Sequence, residues 1–365
     1  MRLETPTLAA VLLLGAGGSA QKTAVVPSVA GTREANSAIA MAQQNEQFAW
    51  QILFPVAAGL EGQLAGVALR RDYDWSKATA GDVPAFTLDV EILAGHSAYD
   101  HYTPHWELQR NQANDVKVVM QRRTVQMPAV RWQTVPPFPF TYAFTFDQPV
   151  TLQRGKTALL ELRFHGSTLP YSVNPWLDAE GVDYSGPEYR FRSIGTPCGW
   201  SSVDNILIMM PLVAGQASQT QKTPHSLYTD RTISYYFGGL SAGRWGAIPL
   251  PLDLGPLGAP GCSLYISLDW MWAPIETDPT GAIAALDIPN DALLVGQTLF
   301  IQGFVFDTPS NALGIGATQG IEAKIGPHVP HEITLIRPPR RPMPQFWPRG
   351  VRQAGAGPVL QLRYK

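Results

Sequence analysis

Residues 249–326 constrain the fold more than any other part of the chain, because short apolar runs there are broken at close intervals by turn-forming residues. The segment reads PLPLDLGPLGAPGCSLYIS, then IPNDALLVGQTLFIQGFVFD, then NALGIGATQGIEAKIG. Apolar runs bounded by Gly, Pro and Asn are the pattern of strands joined by tight turns, and they leave no room for long helices. The clearest strand signal is 297–307. Phe300, Gln302, Phe304 and Phe306 would share one face, and Leu299, Ile301 and Val305 the other. Both faces are largely apolar, so this strand is expected at the centre of a sheet.

The rest of the chain repeats the pattern. It is 45% hydrophobic and only 15% charged, with 33 glycines and 32 prolines in 365 residues. Runs at 51–55, 62–69, 86–93, 117–121, 140–146 and 158–164 read as strands of a first domain. Leu160, Leu162 and Phe164 alternate there with Leu159, Glu161 and Arg163, which fits burial of one face. Runs at 206–211, 232–237, 264–268, 281–288, 298–307 and 320–325 read as strands of a second. The expectation is an all-β protein of two β-sandwich domains with little helix. The expected boundaries are a linker or short helix at 21–45, a first sandwich at 46–167, a connection at 168–193, a second sandwich at 194–326 and a basic, Pro-rich tail at 327–365. Within the linker, 34–46 is the candidate helix.

Residues 1–20 have the layout of a secretory signal: Arg2, an apolar run from Leu8 to Leu14, then small residues to Ala20. The run is too short to span a bilayer, and no later stretch reads as a transmembrane segment. Export implies a secreted, periplasmic or cell-surface location. Cys198 and Cys262 are the two cysteines, and a pair in an exported chain reads as a disulfide. Closing so long a loop stabilises by roughly 4 kcal/mol in the chain-entropy model. Two separate buried thiols are the alternative.

The formal net charge is -2, unevenly spread: residues 327–365 carry seven Lys or Arg against one Glu. A basic tail on an acidic body suits an anionic envelope polymer, and export with an acidic body argues against nucleic acid. The tail's prolines favour extended chain at 338–350. The alternating residues 359–364 could form a terminal strand that packs in cis or drives self-association by adding to a neighbour's sheet.

Residues 195–326 resemble a recurring domain of uncharacterised secreted β-sandwich proteins of planctomycete-like bacteria. The residues that carry the resemblance are Cys198, Leu252-Asp253-Leu254, Gly258 to Cys262, Ile288-Pro289-Asn290, Gly296, Gln302, Asp307, Asn311, Leu313-Gly314, Gly320 and Gly326. Gly66 to Asp72 (GVALRRD) looks like the sister domain that often precedes it. The resemblance implies a small sandwich with one disulfide and carries over no catalytic residue. The tail after Gly326 departs from the pattern.

Candidate sites divide by chemistry. His96, His101 and His105, beside Asp100 and Glu107, are a candidate metal set, although their spacing matches no zinc motif. The competing reading is a surface loop. Asp178 and Asp183, with Glu180 and Glu188, lie among Trp176, Tyr184 and Tyr189, which suggests a sugar subsite, a carboxylate pair for glycoside hydrolysis, or a calcium site built of hard oxygen donors. The competing reading is a solvated loop. Trp270 and Trp272 would face the same way in a strand and could stack on sugar rings, or fill the edge of a core. No G-x-S-x-G or phosphate-loop pattern occurs.

The expected function is therefore a non-catalytic, exported envelope or extracellular protein of structural or adhesive role, with no cofactor unless it is calcium. A carbohydrate-binding protein using exposed Trp residues is the first alternative, and a glycan hydrolase the second.

Overall fold

The computed structural model describes residues 22–41, 47–73, 81–105, 107–170, 173, 176–182, 186–199, 207–209, 211–222, 232–271, 275–277, 283–306, 311–337, 351–354 and 356–365. The expected signal at 1–20 and the Pro-rich stretch at 338–350 lie outside them. The fold is all-β: its strands are joined by turns and a few short 3-10 segments. Among the described residues, no helix is long and apolar enough to cross a membrane.

The chain forms two compact units. One comprises Met1–Val182 together with Pro330–Lys365, and the other Asp183–Val329. The first unit thus takes in both flanks that the sequence reading set aside as linker and tail. Where a linker or short helix was expected, a strand runs Ser37–Ala40; residues 42–46 lie outside the described ones. The expected connection at 168–193 holds the strands Trp176–Gly181 and Phe191–Ile194. These strands escaped detection because they are short and pair with partners remote in sequence, so no local alternation betrays them.

In the first unit, a six-stranded sheet runs in the order Val351–Ala354, Thr334–Arg337, Phe48–Pro55, Thr157–Ser167, Phe86–His96, Lys117–Met127. A four-stranded sheet runs Thr23–Val26, Leu360–Tyr364, Gly62–Leu69, Tyr142–Leu152. The terminal strand expected at 359–364 therefore lies inside its own chain's sheet, with a neighbour on each side. Alternate residues of both sheets meet in one core, among them Ile52 and Phe54, Leu160 and Leu162, Val67 and Leu69, Leu360 and Leu362. Period-2 burial produces this directly. The opposite face of the six-stranded sheet differs from expectation. Leu159 and Glu161 are buried too, because the Leu108–Asn111 turn covers that face. Leu108 packs with Ala49, Leu53 and Ile336. Gln51 Nε2 donates to Leu108 O and to Glu161 Oε2, both at 2.7 Å, and Arg163 Nε donates to Glu161 Oε1 at 2.6 Å. A buried carboxylate with this many donors is satisfied in place. The outer strands of the two sheets are tied by side chains. Arg123 pairs with Asp147, and Gln148 Nε2 donates to Val118 O at 2.8 Å.

In the second unit, the sheet order is Phe191–Ile194, Gly320–Gly326, Thr298–Phe306, Thr232–Gly239, with Trp270–Met271 and Ile275–Thr277 both alongside the last. Thr298–Phe306 is central, as its two apolar faces require. Ile301 joins Leu212, Tyr236, Ile288, Ile321 and Ile325 on one side. Phe304 joins Cys198, Leu254, Cys262, Leu264 and Ile315 on the other. Cys198 and Cys262 are disulfide-bonded, with Cα atoms 5.1 Å apart. Gln302 is wholly buried on the disulfide side. Its Oε1 accepts from Tyr265 N at 2.9 Å, and its Nε2 donates to Ser263 O at 2.9 Å and Thr318 O at 3.0 Å. One amide therefore holds the disulfide-bearing loop to the sheet. The strand expected at 264–268 is interrupted. Ser267 Oγ accepts from Leu240 N and Ser241 N and donates to Asp269, which turns the chain away from a continuous ladder.

Candidate functional site

The chain's densest buried charge follows the Gly62–Leu69 strand. Arg70, Arg71 and Asp72 are three consecutive charged residues, each no more than 2% exposed. They run beside the Trp176–Gly181 strand: Asp178 N donates to Arg70 O at 3.1 Å and Asp72 N to Trp176 O at 2.8 Å, with Arg71 bridged to Leu177. That register sets Arg70 against Asp178. Arg70 Nε donates to Asp178 Oδ2 at 2.6 Å, and Nη2 approaches the same oxygen. The guanidinium also lies over the Phe140 ring, 5.0 Å from its centre. Asp178 Oδ1 accepts from Ala35 N at 3.0 Å. A buried pair held by this many partners fixes geometry more than it adds stability.

Two further carboxylates converge here. Ligand oxygens of Glu34, Asp72 and Asp178 lie within 4.8 Å of one another, a spacing a divalent cation can bridge. Glu34 Oε1 accepts from Tyr73 N at 2.5 Å. Burial, then the neighbouring Asp178 charge, pushes the Glu34 carboxyl up to about 7. Burial also pushes Asp178 up, with Arg70 working against it. The cluster can meet its excess negative charge in two ways: a proton on Glu34 or a bound cation.

Asp178 is thus a strand residue at the heart of the first unit, not the solvent-facing acid of a sugar subsite. Trp176 shares its face of the strand and is half-buried. Asp183 lies outside the described residues. Glu34 and Asp72 were not among the sequence candidates. The signal that could have found Asp72 is the Arg-Arg-Asp run directly after an apolar strand, with no Gly or Pro to mark a turn.

The three histidines are held apart by separate partners. His96 Nδ1 meets Asp115 Oδ2 at 2.5 Å, and its Nε2 accepts from Gln153 N at 3.0 Å. His101 Nε2 donates to His331 O at 3.1 Å, while Thr334 Oγ1 donates to His101 O at 2.6 Å. His105 Nδ1 accepts from Glu107 N at 3.0 Å. Each ring pins a different segment of the first unit.

Trp270 belongs to the second unit, so it does not form one site with Trp176 and Asp178 inside either unit. Its ring lies against Gly238, where an added Cβ would sit 2.0 Å from the indole. Close approach to bare backbone explains the glycine. Trp272 lies outside the described residues.

Comparison with protein-family models, curated proteins and solved structures finds no match.

Proposed function

We propose that the chain is an exported cell-envelope or extracellular protein, related to the secreted proteins it resembles, that works by contact and structural support rather than by catalysis. The observation that carries this reading is that the buried acids and the candidate imidazole at the heart of the first unit are tied into its interior. Asp178 is locked to Arg70 and Ala35, His96 to Asp115 and Gln153, and Glu161 to Gln51 and Arg163. Groups so engaged position strands; a general acid or base needs freedom to exchange its proton with substrate. The two sandwiches expected from the sequence suit such a scaffold. Calcium is the ion proposed for the Glu34, Asp72 and Asp178 carboxylates, where it would brace the first unit.

The test is binding of the purified protein to an array of glycans and cell-wall polymers at low and high salt, with product analysis of every polymer bound. Salt-resistant retention of one polymer class without cleavage is expected. Release of sugar products would overturn the reading in favour of a hydrolase. Binding to all acidic polymers that salt abolishes would reduce the contact to the basic C-terminal segment.

A further inference from the structure

One end of the second unit's sheet carries apolar side chains outward on projecting turns. Gly239 pairs opposite Phe300 in antiparallel strands, so the 240–250 segment that leaves one strand and the 291–297 segment that enters the other emerge at the same end. In the full chain, Leu240 is 66% exposed, Trp245 37%, Ile248 38%, Leu293 81% and Val295 37%. Trp245 and Ile248 pair across a two-residue hairpin turn whose first residue, Gly246, has φ 58°.

Much of the backbone N–H of these turns is held by side chains and carbonyls of the same unit. Leu240 N donates to Asp269 Oδ2 at 2.7 Å, and Ser241 N to Ser267 Oγ at 3.0 Å. Gly243 N and Arg244 N donate to Ser241 Oγ, and Leu250 N to Gly243 O. In the second turn, Leu293 N donates to Asp291 Oδ1 at 2.9 Å, Leu294 N to Asp291 O and Val295 N to Ala292 O. Asp291 thus caps its own turn, while Asp269 holds the 240–250 segment from a neighbouring loop. Arg244 is exposed beside Trp245 and has no ion-pair partner among the described residues.

We propose that this end of the second unit docks on a phospholipid bilayer, with Leu240, Trp245, Ile248, Leu293 and Val295 entering the interfacial layer. Leu240 and Leu293 are 66% and 81% exposed, and they emerge with Trp245, Ile248 and Val295 at one end of the sheet. A protein partner needs a continuous complementary face of several hundred Å2 per side, whereas these side chains stand on separate turns. A deformable bilayer accepts each tip individually. Backbone entering a lipid surface must bring its hydrogen bonds with it, and much of the backbone N–H of these turns is already engaged. Trp is favoured at the lipid–water interface, and a neighbouring Arg can reach phosphate while its stem stays apolar. The proposal concerns a surface apart from the carboxylate cluster and stands whether or not a polymer is bound.

The experiment is flotation of the full chain with phosphatidylcholine vesicles and, separately, with vesicles containing phosphatidylglycerol, at low salt and at about 0.5 M salt, where charge attraction is screened. Binding to both that survives salt is expected. The double variant Trp245→Ala/Leu293→Asp is expected to weaken partition by roughly tenfold or more. Leu257→Asp, 61% exposed at the opposite end of the sheet, should leave it unchanged. Amide exchange of the unaltered chain provides a readout free of mutation, with slowing on vesicles expected at 240–250 and 291–297. The proposal is overturned by failure to float with either vesicle, by binding to phosphatidylglycerol alone that salt removes, or by amides in those turns that exchange equally fast on vesicles. Concentration-dependent self-association of the unaltered chain, abolished in the double variant, would instead make these turns a protein interface and equally overturn it.

Discussion

The hydroxyl of Tyr364 donates to the carbonyl of Leu60 at 2.6 Å. The ring is 1% exposed and packs in the core of the first unit. Gly62, at φ 131°, lets the chain pass beneath it. Burial pushes the phenol well above its usual range, so it stays a donor. Tyr364→Phe is expected to cost about 1 kcal/mol by orphaning a buried carbonyl. Tyr364→Ala should cost about 3–5 kcal/mol, as for other large-to-small core changes. Urea unfolding checks both, and an alanine variant as stable as the parent would contradict the packing described.

Glu34 gives the first unit a pH dependence of known sign. Its carboxyl lies near 7 when folded, against an ordinary value of 4.5. Between those values the folded state holds more proton than the unfolded one. Stability from this group is therefore lost as pH rises from about 4.5 through about 7. Glu34→Gln should flatten that slope in thermal unfolding followed against pH. Calcium added at neutral pH should raise the unfolding temperature of the parent and have little effect on the variant, and a chelator should reverse the gain. An unchanged slope in the variant would remove Glu34 from the account.

The Cys198–Cys262 bond closes a separation of 64 residues and sits in the core on one face of the second unit's sheet. Replacing both by Ala or Ser should destabilise that unit by roughly 4 kcal/mol, the loop-entropy figure for this span. The first unit's unfolding should be unaffected if the two transitions resolve. Mass measurement without reduction should show the protein two hydrogens lighter than the dithiol; two thiols alkylated in the folded protein would disprove the bond.

Gly238→Ala drives a methyl into the Trp270 indole, where the added carbon would lie 2.0 Å from the ring. The expected cost is about 1–3 kcal/mol, typical of overpacking, with a shift in tryptophan emission as the ring is displaced. A neutral substitution would mean that the ring leaves Gly238 freely, which would restore Trp270 as a stacking platform for sugar.

How much of this was legible beforehand depended on whether burial left a local trace. The Gly62–Leu69 and Thr298–Phe306 strands were readable because their own residues are largely apolar runs. The disulfide was readable from cysteine arithmetic and the expectation of export. Strands such as Thr23–Val26 and Ser37–Ala40 were not, since four residues are too few to carry a period and are ordered by partners more than a hundred residues away. Glu161 looked like a solvent-facing residue until the Leu108–Asn111 turn covered it. Asp178 was singled out for its chemistry, but its role is set by Arg70, 108 residues earlier, and no spacing rule spans that distance. Glu34 and Asp72 join it only through the same folded register.

The Leu360–Tyr364 strand lies between Thr23–Val26 and Gly62–Leu69. While the chain is being delivered in order, Gly62–Leu69 waits some three hundred residues for the neighbour that also joins Thr23–Val26 to the sheet. Asp183–Val329 has all its own strands well before then and can fold as a unit. The unit that holds Thr23–Val26 and Gly62–Leu69 is thus completed after Asp183–Val329. Until then the edge of Gly62–Leu69 that takes the last strand is an unpaired strand edge, the kind of edge to which other extended chain can add.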